Sequence, residues 1–192
     1  IIFFSYTPPH PTTADIIHFQ DLSSDRNKRS ILNWTWNFDD GNSSYDQNPT
    51  HQYSDNGTFN VSLIVVDDDG SIDHMYRNVT VGNTPPVANF SYTPLSPSTA
   101  TLINFSDTSV DADGTIVSWL WDFGDGQMNT SQNPSHSFVH SGTYNVSLTV
   151  TDEDNGNNTT ITSIFVSNIG PTASYTYMPT TPTTAQSVSF TD

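Results

Sequence analysis

Trp34-Thr35-Trp36-Asn37-Phe38-Asp39-Asp40-Gly41 decides the reading of this chain, because it returns downstream as Trp119-Leu120-Trp121-Asp122-Phe123-Gly124-Asp125-Gly126. In each copy, aromatic residues at every second position run into an Asp-Gly turn signal. Side chains that alternate with period two share one face of a β-strand. Working outward, Phe4-Ser5-Tyr6-Thr7-Pro8 returns as Phe90-Ser91-Tyr92-Thr93-Pro94 and, loosely, as Tyr175-Thr176-Tyr177-Met178-Pro179. Gly57-Thr58-Phe59-Asn60-Val61-Ser62-Leu63 returns as Gly142-Thr143-Tyr144-Asn145-Val146-Ser147-Leu148. The spacing is 86 residues early in the repeat and 85 later. Ordered matches at one period mark a tandem repeat.

Leu32, Trp34, Trp36 and Phe38 are expected on one face of a strand, as are Phe59, Val61, Leu63 and Val65. No stripe with helical period is present. About seven short strands in roughly 85 residues predict an all-β chain of tandem immunoglobulin-like β-sandwiches. The repeat places unit one at 1–82, a proline-bearing linker at 83–86 and unit two at 87–168. Residues 169–192 read as the first strands of a third repeat, either truncated or donating strands to a neighbouring chain. The short linkers predict units standing end to end with limited swing.

Trp121-Asp122-Phe123-Gly124-Asp125-Gly126, Asn133-Pro134-Ser135-His136, Gly142-Thr143-Tyr144 and Val150-Thr151-Asp152 together resemble the PKD (polycystic kidney disease) domain. Unit one departs from that pattern at Asn37 and Asp39. The resemblance implies extracellular Ig-like modules of the kind strung along archaeal surface proteins or set beside bacterial hydrolases. Such modules act as spacers and contact elements, not as catalysts.

Composition narrows the function further. The 192 residues carry 20 acidic against 4 Lys and Arg side chains, a formal charge of −16. That charge repels nucleic acid and anionic lipid. No apolar run is long enough to span a membrane, and Ile1-Ile2-Phe3-Phe4 lacks the flanks of a signal peptide. Low hydrophobicity with high charge is a signature of disorder, but 12% aromatic content in register argues for a packed core. Without cysteine, disulfides and thiolate chemistry are absent.

Nineteen of the acidic residues are Asp, and they cluster. Asp107, Asp111 and Asp113 fall after the second strand of unit two, and Asp152 and Asp154 between its last two strands, loops that share one end of an Ig-like sandwich. With Asp39 and Asp40 from unit one's turn they form the candidate metal set, and calcium, which takes six to eight hard oxygens, is the expected cofactor. The alternative is that these Asp residues serve only as turn formers. Ser109-Val110-Asp111-Ala112-Asp113-Gly114 resembles a segment at which some PKD domains bind calcium. Unit one instead has Asp25-Arg26-Asn27-Lys28-Arg29, where built-in cations are expected to replace the metal with salt bridges.

Eleven Asn-x-Ser/Thr sequons stand at Asn33, Asn42, Asn56, Asn60, Asn78, Asn89, Asn104, Asn129, Asn145, Asn157 and Asn158. That is about twice the number chance allows, which points to N-glycans, although outward Asn and Ser alternating with core residues also writes sequons automatically. His51 and His136 occupy equivalent repeat positions and read as packing or turn-bonding residues. No nucleophile elbow, phosphate loop or dinucleotide fingerprint appears, so an enzyme is not expected. The expected function is a stiff extracellular or cell-surface array, stalk or filament whose partners are neighbouring repeats or identical subunits. The alternative is an accessory module that grips polysaccharide or protein for a secreted hydrolase, with Tyr45, Tyr76 and Tyr92 as its contact residues.

Overall fold

The structure is a computed structural model and describes residues 1–25 and 30–192. The expected salt bridges of Arg26, Lys28 and Arg29 lie outside the described residues.

Unit one is built from β1 (Phe4–Thr7), β2 (Ile17–Asp21), β3 (Ile31–Asn37), β4 (Ser43–Ser44), β5 (Thr50–His51), β6 (Gly57–Asp67) and β7 (Ile72–Val81). These make two antiparallel sheets, β1-β2-β5 and β4-β3-β6-β7. Unit two repeats the plan with β8 (Phe90–Thr93), β9 (Ile103–Asp107), β10 (Ile116–Asp122), β11 (Met128–Asn129), β12 (Ser135–His136), β13 (Gly142–Asp152) and β14 (Asn157–Val166). Its sheets are β12-β9-β8 and β11-β10-β13-β14. Each unit is an all-β sandwich with its own core.

The two Trp-centred stretches do in space what their period demands. Trp36 and Trp121 are fully buried between the sheets. Trp36 meets Phe4 edge-on at 5.0 Å and Phe19 at 5.6 Å, and Trp121 meets Phe90 and Phe105 at 5.0 and 5.4 Å. Such tilted and edge contacts are the favoured aromatic geometry. Each buried indole also donates to a backbone carbonyl at 3.0 Å, Trp36 to Asp46 and Trp121 to Ser131, so burial leaves no orphan N–H.

One expectation about this strand is corrected. The register shifts between Ile31 and Asn33, and again between Ile116 and Ser118. A bulge inserts one residue and reverses the side-chain alternation locally. Ile31 therefore packs on the core and Leu32, expected inward, is 55% exposed.

Beyond unit two, β15 (Thr176–Met178) and β16 (Ser189–Thr191) pair only with each other among the described residues.

Candidate functional site: the junction between the units

The two units meet through the lower end of unit one and two loops of unit two. In unit one the chain leaving β7 runs beside the loop after β1. Thr13 N donates to Gly82 O at 3.1 Å, and Gly82 N donates to Pro11 O at 2.8 Å. This brings the hydroxyls of Thr13 and Thr84 to 2.6 Å. Ala14 N donates to Thr84 Oγ1, Thr84 is then free to donate to Thr13, and Thr13 Oγ1 donates to Asp113 Oδ2 at 2.5 Å. The same carboxylate oxygen accepts Thr84 N at 3.0 Å. Bonds to an ionised acceptor are among the strongest a protein makes.

A second link runs alongside. Asp152, only 2% exposed, caps the turn after β13 by accepting Gly156 N at 2.7 Å and Asp154 N at 3.0 Å on Oδ1. Its Oδ2 accepts the Asn83 side-chain amide at 2.7 Å. Gly156 makes this approach possible, since a Cβ there would collide with both Asp152 Oδ2 and Asn83 Nδ2.

Asp111 lies against this pair. A Cβ on Gly114 would touch Asp111 Oδ2 at 3.3 Å and Glu153 Oε1 at 3.1 Å, so the loops carrying Asp111 and Glu153 converge. Burial, with the charges of Asp113 and Asp152, pushes the Asp111 carboxyl above the usual carboxylate range. Burial works on Asp113 in the same direction, but the Thr13 hydroxyl and Thr84 amide outweigh it and hold Asp113 low. Two oxygens, Asp111 Oδ2 and Asp113 Oδ1, are buried without a hydrogen-bond partner among the described residues. Unpaired buried oxygens on acidic side chains are what a hard cation accepts. As they are placed, no group of three or more acidic or imidazole side chains among the described residues is arranged so that it could hold a metal ion.

The remaining expected metal residues are engaged elsewhere. Asp107 Oδ2 accepts the Trp119 indole at 2.7 Å and Gln132 at 3.1 Å, while its Oδ1 caps Ser109 N at 2.9 Å. Asp154 is exposed. Asp39 accepts Asn60 N at 2.8 Å, and Asp40 accepts Asn42 N and bonds His51 Nε2 at 2.7 Å. The turn of Asp39 and Asp40 is thus held to its own unit, and the lower end of unit one meets its neighbour with threonine and asparagine. The residues that sequence reasoning missed are Thr13, Asn83 and Thr84. A signal existed for the first two, since the repeat writes them again as Thr99 and Asn168, and Thr99 N donates to Ser167 O at 3.0 Å as Thr13 N does to Gly82 O.

His51 and His136 are packing and turn-bonding residues in both units. His136 stacks on Phe123 at 4.0 Å, sets its edge on Phe138 and bonds Asp125 at 2.8 Å, and His51 does the same with Phe38, Tyr53 and Asp40. Among the sequons, Asn56 and Asn129 are half-buried; Asn33, Asn42, Asn60, Asn78, Asn89, Asn104, Asn145, Asn157 and Asn158 are exposed. Tyr45 and Tyr76 are exposed, but Tyr92 is half-buried against Phe105, because it faces the first sheet's core side.

Comparison with known proteins agrees with this architecture. The chain is 43% identical over 81 residues to the pre-pro-metalloprotease PrtV of Vibrio cholerae, a match covering 42% of this chain and 8% of that protein. It is 54% identical over 48 residues to the collagenase ColQ1 of Bacillus cereus, covering 25% of this chain and 5% of the collagenase. The chain therefore spans less than a tenth of the length of these curated relatives. The solved PKD1 domain of Vibrio anguillarum Epp aligns at 40% identity with a TM-score of 0.41, covering 45% of this chain and 99% of the domain. The PKD domain pattern itself matches residues 6–81 and 83–166, one copy for each sandwich. The chain belongs to the PKD domain family, a family of non-catalytic modules, and carries two of them in tandem.

Proposed function

We propose that this chain is an accessory segment of a secreted hydrolase, in which two PKD domains joined end to end space a catalytic domain and contact polysaccharide or protein outside the cell. The observation that carries this reading is the junction itself. Thr13 of unit one bonds Asp113 of unit two, and Asn83 of the linker bonds Asp152, so sandwiches with independent cores are held both directly and through the linker. A flexible tether needs neither link; a spacer of set direction needs both. The named proteases and collagenases support the accessory role over the surface-layer or filament reading.

Calcium belongs to the same proposal. Asp111 and Asp113 would hold it through their unpaired oxygens, with Asp152 and Glu153 adjacent, and it would neutralise the charge crowded there. N-glycans on exposed sequons of unit two, such as Asn157 and Asn158 on its edge strand β14, would serve the extracellular setting by shielding that edge. Calorimetric titration of the chain with calcium tests the metal; the expected result is saturable heat that the Asp111→Ala, Asp113→Ala double variant loses. Absence of heat at millimolar calcium removes it. Deleting residues 1–168 from the parent protein tests the accessory role, and the expected loss is of activity on insoluble but not soluble substrate.

A further inference from the structure

The acidic residues of this chain are not spread evenly. Most sit in turns, loops and the junction; the two on β6 and β7, Asp67 and Asp73, fall in the rows of the inward Ile31 and Val65, and every outward position paired along β3, β6 and β7 is Asn, Ser, Thr, Ile, Val, His or Tyr. In a chain of formal charge −16, the paired outward positions of unit one's four-stranded sheet carry no carboxylate and no Lys or Arg among the described residues. The rows across it are Thr35, Ile64, His74 and Asn37, Ser62, Tyr76. His74 and Tyr76 touch edge to face at 5.5 Å, and Tyr76 is 58% exposed. Tyr45, 74% exposed, follows β4 at the opposite edge. Four strands set these edges about 14 Å apart.

Unit two supplies an internal comparison. Its backbone and pairing are the same, yet at the places of Tyr45, Ile64, His74 and Tyr76 it has Thr130, Thr149, Thr159 and Ile161. If these residues served the sandwich, both copies would need them. Unit two keeps the same sheet without them, so the shared fold does not require these side chains.

We propose that the outer sheet face of unit one binds a neutral polysaccharide chain, with His74, Tyr76 and Tyr45 as the contact rings. This rests on the accessory reading and names its ligand class and face. The chemistry follows from the surface. An exposed ring stacks on the apolar C–H face of a sugar, and amides and hydroxyls on either side supply both donors and acceptors for sugar hydroxyls. With no fixed charge, the face has nothing to pair with an acidic glycan or a basic peptide. Being open, it suits a long polymer better than a small ligand, which requires a cavity. Asn60 and Asn78 stand opposite each other on this face and both are sequons, so sugars attached there would cover it.

The test is retention of unglycosylated recombinant chain on microcrystalline cellulose, chitin and insoluble starch, with collagen fibrils in parallel. The expected result is retention on at least one of the polysaccharides. It should fall about tenfold in the Tyr45→Thr, His74→Thr, Tyr76→Ile variant, which carries unit two's residues at exposed positions and should melt as the parent does. Retention equal in parent and variant overturns the proposed face and leaves the accessory reading standing. Retention on collagen alone overturns the ligand class in favour of a protein. No retention on any of the four overturns the proposal, and with it the gripping half of the accessory reading, while the spacer half is judged separately by the deletion described above.

Discussion

Thr13 and Asp113 are 100 residues apart in sequence and in different domains, yet the hydroxyl of one lies 2.5 Å from the carboxylate of the other. The bond crosses the boundary between two cores that share no side chain. Its effect is on orientation and not on the fold of either sandwich.

Thr13→Val should therefore loosen the junction and leave both domains folded. A hydrogen bond to a charged acceptor contributes about 1.5 to 3 kcal/mol, enough to shift a closed junction toward an open one. Backbone relaxation measured by NMR should show two domains tumbling as one in the parent and more independently in the variant. Unchanged coupling would mean that the Thr84 N to Asp113 bond and the Asn83 to Asp152 link suffice without Thr13.

Gly156→Ala offers an independent route to the same outcome. The added Cβ collides with the two atoms of the Asn83 to Asp152 bond and not with either core. Small-angle scattering should report a broader distribution of maximum dimension, with melting of unit one unaffected.

Core damage should stay within one domain. Trp121→Ala removes the ring on which Phe90 and Phe105 pack and should cost about 3 to 5 kcal/mol of unit two's stability. Calorimetry is expected to separate one transition into two, the lower belonging to unit two.

Asp107 predicts the acid response. Burial would raise its pKa, but bonds from Ser109, Gln132 and the Trp119 indole outweigh burial and leave it below the ordinary value of 3.8. A carboxylate held low in the fold stabilises above its unfolded pKa and loses that contribution as pH falls through the folded value. Unit two should thus lose stability below about pH 4. Asp107→Asn keeps an acceptor for the indole but removes the titrating group, so its melting temperature should fall less steeply from pH 5 to pH 3.

The fold was largely legible because its signal is periodic. Trp36 and Phe38, Val61 and Leu63, and their copies in unit two, alternate as a half-buried strand must, and the structure buries all of them. Leu32 was misplaced because a bulge depends on how two strands pair, which one strand's pattern does not encode. The candidate site was legible in half. Asp111, Asp113 and Asp152 could be named because acidic loops stand out in a sequence; Thr13 and Asn83 left only the faint trace of their repetition as Thr99 and Asn168, and Thr84 left none, because common polar residues acquire a role only from what they face.

Sequence alone was enough to establish two aromatic-centred sandwiches in tandem, because burying alternate large side chains dominates the energy of each and needs only local spacing. Which residues join them, and which sheet face is left free of charge, emerged only in three dimensions. Contacts between Thr13 and Asp113, or along a row from Thr35 through Ile64 to His74, are set by chain crossings and strand register. These bring together residues whose distance along the chain says nothing about their distance in space.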